Sequence, residues 1–94
     1  MSTITVELSL NEYQRLAKTT ADYPNKGNNL LYPALGCAEE AGEIAGKIKK
    51  FWRNLDITDA NKLTAEQKLT VIKEMGDNLW YLAALAEELN VDLG

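Results

Sequence analysis

Residues 65 to 90 constrain the fold most, because their apolar side chains recur every three or four positions over about seven helical turns. Thr64-Ala65-Glu66-Gln67 has the pattern of a capping box, in which an N-cap threonine and the third helical residue satisfy backbone N–H groups reciprocally. Asn90 is a typical helix stop. The segment therefore predicts one helix about 38 Å long. Its apolar stripe consists of Leu69, Ile72, Met75, Gly76, Leu79, Leu82, Ala83, Ala86 and Leu89.

Two further helices are predicted earlier in the chain. Ser9-Leu10-Asn11-Glu12 is a second capping-box pattern and predicts a helix from about residue 10 to residue 20. The segment Ala34 to Arg53 predicts another helix, since apolar residues recur along it at helical spacing. The stripe of this helix is Ala41, Ile44, Ile48 and Phe51.

The remaining segments are expected to lack long helices. Residues 3–8 alternate loosely, and residues 1–9 are expected to form an extended arm. Residues 21–33 contain both prolines of the chain and predict a loop, with a helical turn near Asn29–Tyr32. The polar stretch Asn54–Leu63 is expected to connect the two long helices.

These elements predict an all-α fold in a single domain that spans residues 1–94. The two long helices form a hairpin, and the short N-terminal helix packs beside it. A long helix usually needs neighbours on more than one side, and this chain supplies few. We therefore expect oligomerisation, as a homodimer or homotetramer, to complete a four-helix-type bundle. Small residues that would allow close helix approach are Gly76, Ala83, Ala84 and Ala86.

Composition excludes several function classes. The chain has no histidine and one cysteine, which excludes imidazole acid–base catalysis, Ser–His or Cys–His pairs and cysteine-based zinc sites. Ten basic and fourteen acidic residues give a net charge of −4. This balance argues against nucleic acid or an anionic membrane as a partner. With no apolar run of membrane-spanning length and no signal-peptide pattern, a cytoplasmic protein is expected.

Two carboxylate clusters are the candidate functional residues. Glu39, Glu40 and Glu43 lie on the second predicted helix, and Glu74 and Asp77 lie on the third. The pairs 40/43 and 74/77 each have i, i+3 spacing, which places both members on one helix face. An antiparallel hairpin allows these faces to oppose each other. Four carboxylates at close range repel, and oxygen-only ligands favour Mg²⁺ or Mn²⁺.

Spacing alone leaves a second interpretation open, in which these acids are only solvated helix faces. A surface salt-bridge ladder would place a basic residue four positions after each acid. Glu43 has Lys47 at that position, but Glu40 is followed by Ile44 and Glu74 by Asn78. The ladder is therefore incomplete, and the acids border the apolar stripes rather than opposing them.

The motifs resemble those of the MazG-like nucleoside triphosphate pyrophosphohydrolases. The pattern is Glu39-Glu40-x-x-Glu43 followed by Glu74-x-x-Asp77. The flanking segments agree with the family as well: Tyr32–Gly36, Ile44–Lys50, Asp77–Leu82 and Leu10–Gln14. The resemblance covers about residues 10 to 92.

One departure is that the family usually continues into a further helix with Asn and Lys residues that help to hold phosphates. That helix was either trimmed here, or its role is expected to fall to other residues or another subunit.

The resemblance implies an all-α dimer or dimer of dimers that hydrolyses a nucleoside or deoxynucleoside triphosphate to the monophosphate and pyrophosphate, with Mg²⁺. It implies that Glu40, Glu43, Glu74 and Asp77 are the metal ligands. Glu39 is implied as a neighbour that orients a ligand or a water.

Three other side chains share the acidic faces. Lys47 and Lys50 follow Glu43 by four and seven residues, so they either meet substrate phosphates or are ordinary solvated lysines. Tyr81 follows Asp77 by four residues. It either stacks on a base or packs at a helix seam.

Two competing functions remain at the level of sequence. The chain could be a non-enzymatic helical dimerisation or adaptor module whose acids are only surface charge. A di-iron carboxylate bundle is the weaker competitor, because that class normally supplies histidine in a Glu-x-x-His pattern, which this chain lacks.

Overall fold

The computed structural model describes residues 7–94. Within that range the chain forms three α-helices and a single 3₁₀ turn, and it contains no strand. The elements are α1 (Leu10–Thr20), α2 (Leu31–Leu55), the 3₁₀ turn (Ala60–Lys62) and α3 (Ala65–Glu88). The predicted all-α class is confirmed. The first six residues of the predicted extended arm lie outside the described range.

Both predicted capping boxes are present. The Ser9 hydroxyl accepts a hydrogen bond from the Glu12 backbone N–H at 3.1 Å. The Thr64 hydroxyl accepts one from the Gln67 N–H at 3.0 Å, and the Gln67 side chain accepts one from the Thr64 N–H at 2.9 Å. Asn90 follows the end of α3 with φ 57°, a left-handed conformation that stops a helix. These local signals fixed the starts of α1 and α3 and the end of α3.

The start of α2 differs from the prediction. The helix begins at Leu31, so the predicted loop up to Pro33 was too long. The side-chain oxygen of Asn29 accepts a hydrogen bond from the Tyr32 N–H at 3.1 Å and so satisfies a first-turn donor. Pro33 lies in the first turn, where the missing N–H of proline is not needed. The other end extends to Leu55 and stops at Asp56, which has φ 55°.

Helix α3 packs against both other helices. It pairs with α2, and its C-terminal part contacts α1. The Trp80 indole N–H donates to the Thr20 hydroxyl at 3.0 Å, and the Gln14 amide donates to the Glu87 carboxylate at 2.8 Å. Gln14 is buried and also accepts from the Leu93 N–H at 2.7 Å. The residues after α3 are thereby tied to α1.

The core of the described chain is small. Its buried apolar side chains are Ala17, Tyr23, Pro33, Ala83, Ala84 and Ala86. Much of the predicted stripe of α3 faces outward, and Ala41 and Ile48 of the α2 stripe are exposed as well, while Ile44 and Phe51 are half-buried.

An apolar groove of about 480 Å³ runs along this outer face. It is lined by Ile44, Ile72, Met75, Gly76, Asn78, Leu79 and Leu82. Among the described residues no helix is both long and apolar enough to cross a membrane.

Candidate metal centre

Three carboxylates from two helices converge between α2 and α3. Glu40 of α2 and Glu74 and Asp77 of α3 each place one oxygen within 4.8 Å of the others. Glu40 is only 7% exposed, Glu74 is half-buried and Asp77 is exposed. The i, i+3 spacing of Glu74 and Asp77 puts both on the α3 face that meets α2. The helix pairing therefore builds an acidic cluster that opens to solvent on one side.

A second group extends the cluster along α2. Glu39, Glu40 and Glu43 also place one oxygen each within 4.8 Å of one another, with Glu39 and Glu43 exposed. Glu43 lies near Glu74 across the helix pair, because each of the two carboxyl groups shifts the pKa of the other. Glu40 belongs to both groups. All five acids singled out in the sequence thus lie in one contiguous cluster.

Hydrogen bonding between the carboxyl groups, and then burial and like charge, shift the pKa values of these acids. A hydrogen bond with Glu74 is the main cause that raises the pKa of Glu40 to about 7, and burial and the charges of Glu43 and Asp77 act in the same direction. The hydrogen bond with Glu74 also raises the pKa of Glu43. Hydrogen bonds from Glu40 and Glu43 lower the pKa of Glu74. Glu40 and Glu43 therefore hold a proton more tightly than Glu74 does.

The cluster has a composition that suits a divalent cation. Oxygen Oε2 of Glu40 is buried and has no hydrogen-bond donor. Among the residues that the structure describes, the positive charge nearest to the cluster is Lys47, whose Nζ lies 4.0 Å from the Glu74 carboxylate. An orphaned buried carboxylate oxygen among other acids fits a metal ion, and an all-oxygen donor set fits Mg²⁺ or Mn²⁺.

The two candidate lysines lie on the α2 side of the acids. Lys47 and Lys50 line a pocket of about 180 Å³ together with Glu43 and Gly46. Lys47 is half-buried and Lys50 is exposed. The Lys47 ammonium group therefore lies beside the acidic cluster, and Lys50 lines the same pocket.

Aromatic side chains border the acids on the other side. Tyr81 and Trp80 line a pocket of about 280 Å³ together with Glu40 and Asp77. The Tyr81 ring lies directly on the backbone of Gly36, since a Cβ added at that glycine would overlap the ring. Burial, then contact with Tyr32, and then the nearby carboxylates raise the pKa of the Tyr81 hydroxyl. The pocket is thus lined by two acids, Glu40 and Asp77, and by an aromatic wall, the rings of Trp80 and Tyr81.

Sequence reasoning missed part of this wall. Trp80 lies at the contact between α3 and α1, where its indole N–H donates to Thr20, and it also lines this pocket. Gly36 and Tyr32 were noted only as flanks of the motif. Gly36 precedes Glu40 by four residues, and Tyr81 follows Asp77 by four, so each lies one turn from an acid on the same helix face. That shared spacing was the available signal.

Comparison with known proteins gives two matches. The MazG nucleotide pyrophosphohydrolase domain matches residues 30–94, which include all five acids, both lysines and Tyr81. The chain is also 40% identical over 84 residues to the Gene 37 protein of Mycobacterium phage L5, and this alignment covers 84% of the chain and 70% of the phage protein. No solved structure matches.

Proposed function

Because the chain belongs to the MazG nucleotide pyrophosphohydrolase family, we propose that it hydrolyses a nucleoside or deoxynucleoside triphosphate to the monophosphate and pyrophosphate. The observation that carries this proposal is the convergence of Glu40, Glu74 and Asp77 across two helices, within 4.8 Å. A solvated helix face would not bury a carboxylate among other acids. We also propose that residues 1–94 act as one domain.

The residues that would hold the metal are Glu40, Glu43, Glu74 and Asp77, with Mg²⁺ as the ion and Mn²⁺ as a substitute. The orphaned Oε2 of Glu40 and the all-oxygen donor set support this assignment. When bound, such an ion neutralises phosphate oxygens and lowers the pKa of a coordinated water. Glu39, at the exposed edge of the cluster, is proposed to orient a ligand or a water.

The other residues of the site bind and orient the substrate. Phosphoryl transfer depends mainly on positioning and on neutralising charge, and it needs little covalent work from the protein. We assign Lys47 and Lys50 to the phosphates, because they line the pocket beside Glu43. Tyr81 and Trp80 are assigned to the nucleoside, because their rings form the wall beside Glu40 and Asp77.

A nucleotide panel tests the reaction. The protein is incubated with each common NTP and dNTP and Mg²⁺, and the products are separated by chromatography. We expect a nucleoside monophosphate and pyrophosphate in equal amounts from the preferred substrate. Release of orthophosphate and a diphosphate would contradict the proposed bond, and no hydrolysis of any nucleotide would contradict the function.

A melting experiment separates this enzyme from a helical adaptor module. An ion that fills a site at a hundred times its Kd stabilises the folded state by about 2.7 kcal/mol. We expect Mn²⁺ to raise the melting temperature of the wild-type protein but not that of Glu40→Gln. An adaptor whose acids are only surface charge would show the same melting temperature with and without the ion.

We further propose that the chain works as a symmetric homodimer or homotetramer. The apolar groove of about 480 Å³ and the exposed side chains around it support a second copy as the occupant, since a monomer would leave this surface in water. A symmetric pair of helix hairpins would complete the four-helix-type bundle.

A further inference from the structure

The Tyr81 ring is held from two sides. Gly36 lies beneath it, and the Tyr32 ring lies beside it, with the two ring centroids 6.1 Å apart at an angle of 55°. Tyr32 in turn stacks on Tyr23, with centroids 4.8 Å apart and planes within 11°. Three tyrosine rings therefore run in series from the acidic pocket to the loop between α1 and α2.

The far end of this series is fixed by one carboxylate. Oε1 of Glu88, in the last turn of α3, accepts hydrogen bonds from the Tyr23 hydroxyl at 3.1 Å, the Gly27 N–H at 2.8 Å and the Asn29 N–H at 3.1 Å. Tyr23 is only 8% exposed. Burial first, and then this hydrogen bond, raise the pKa of Tyr23 to about 12, so its hydroxyl remains a donor at neutral pH.

The three hydrogen bonds that Glu88 accepts, called here the Glu88 clamp, also restrain the start of α2. Asn29, whose N–H donates to Glu88, uses its side chain to cap the Tyr32 N–H at 3.1 Å. Glu88 therefore restrains Tyr32 by two routes. One is the Asn29 side chain, which accepts from the Tyr32 N–H, and the other is the Tyr23 ring, which stacks on Tyr32. Glu88 itself does not line the pocket of Glu40 and Asp77.

We infer that Glu88 is a positioning residue for nucleotide binding: it holds the loop so that Tyr23 and Tyr32 support Tyr81 in the wall of the acidic pocket. This inference rests on the proposed function. The acids and lysines lie on α3 or more than two helical turns beyond the start of α2, away from the loop. Loss of the clamp therefore weakens substrate binding and leaves the chemical step unchanged.

The chain offers matched variants. Glu88→Ala removes the acceptor, whereas Glu88→Gln retains an amide oxygen for the same three donors. Glu87→Ala is the control, because Glu87 is the adjacent half-buried acid, and its side chain bonds to Gln14 and Lys18 of α1. Tyr23→Leu removes the ring from the series and leaves both backbone hydrogen bonds to Glu88 possible.

The experiment measures KM and kcat for the preferred nucleotide of the panel, and the near-ultraviolet circular dichroism of the tyrosines without nucleotide. For Glu88→Ala we expect KM to rise about fivefold to tenfold, the size of one aromatic contact, with kcat within about twofold. Its tyrosine signal should weaken. Glu88→Gln and Glu87→Ala should stay near wild type in KM and in tyrosine signal.

Several results would overturn the inference. One is an unchanged KM in Glu88→Ala, and another is an equal rise in Glu87→Ala, which would indicate general destabilisation. If Glu88→Ala fails to fold, Tyr23→Leu decides, because an unchanged KM in that variant also refutes the role. A wild-type protein that hydrolyses no nucleotide contradicts the proposed function, and with it the inference. If the wild type is active and Glu88→Ala and Tyr23→Leu both keep its KM, only the inference is contradicted.

Discussion

At the residue scale, the acids of the cluster differ from ordinary surface carboxylates in their neighbours. Glu40 lies within 4.8 Å of both Glu43 and Glu74, and Lys47 supplies a counter-charge 4.0 Å from Glu74. Such an arrangement destabilises the metal-free protein, because like charges in a partly buried site repel. A cluster of repelling acids has a physical reason if it binds a cation, and the next two predictions test that explanation.

Removal of single carboxylates should abolish activity without unfolding the protein. For Glu74→Gln and Asp77→Asn we expect activity to fall about 100-fold or more, since each change removes a proposed metal ligand. The helical circular-dichroism signal should remain, because neutral isosteres relieve repulsion. Glu66→Gln is the control, as Glu66 is an exposed acid in the first turn of the same helix. Near-normal turnover in both site variants would contradict the assignment.

The raised pKa of Glu40 predicts how stability depends on pH without metal. The folded protein keeps a proton on Glu40 up to about pH 7, whereas an unfolded chain releases it near 4.5. Between these values the folded state binds more protons, so this group lowers the free energy of unfolding as pH rises, and its effect levels off above about pH 7.

Thermal melts in EDTA from pH 4.5 to above pH 7 measure this effect. We expect the melting temperature of the wild type to fall relative to that of Glu40→Gln over the same range, because the glutamine does not titrate. Parallel profiles for the two proteins would show that Glu40 titrates at its ordinary pKa in the folded state.

At the scale of helices, Gly36 sets how closely α2 approaches α3. A Cβ at this position would overlap the Tyr81 ring, whereas a Cβ at Gly42 would meet nothing within 4 Å. We expect Gly36→Ala to destabilise the protein by roughly 1–3 kcal/mol and to raise KM, because the ring must move. Gly42→Ala should instead stabilise α2 by up to about 1 kcal/mol. Urea unfolding and steady-state kinetics measure both, and equal effects of the two substitutions would contradict the role of Gly36.

At the scale of the whole molecule, the outer face of the hairpin is the surface that a second copy would cover. Light scattering should give at least twice the chain mass of 10.4 kDa for the wild type. Met75→Asp should shift the mass toward the monomer, because a charge would enter the apolar groove. Leu16→Asp is the matched control, since Leu16 is 55% exposed on α1 and Met75 is 54% exposed on α3. A monomeric, fully active wild type would refute the oligomer.

Mixed subunits test whether two chains share one pocket. Glu74→Ala and Lys50→Ala are each expected to be inactive alone, because one lacks a proposed metal ligand and the other a proposed phosphate contact. If a pocket draws these residues from different chains, a mixture of the two variants recovers part of the activity. A mixture that stays inactive would show that each pocket is built within one chain.

The sequence by itself determined the features that depend on nearby residues. The capping boxes at Ser9 and Thr64 and the stop at Asn90 act over four residues or fewer, so the starts of α1 and α3 and the end of α3 were predictable. Helical spacing likewise placed each acid pair on one face. The start of α2 was missed because its N-cap position is Leu30, whose side chain cannot cap a helix, so no capping pattern marks it.

Only the tertiary structure decided the features that depend on how two helices align. The spacing of Glu39 and Glu40 does not say which of them is buried, and the pairing of α2 with α3 buries Glu40 alone. The same alignment sets Tyr81 on Gly36, and the fold of the loop brings Glu88 to Tyr23. These contacts join residues more than forty positions apart. Their register is set by packing over whole helices, which no local sequence pattern encodes.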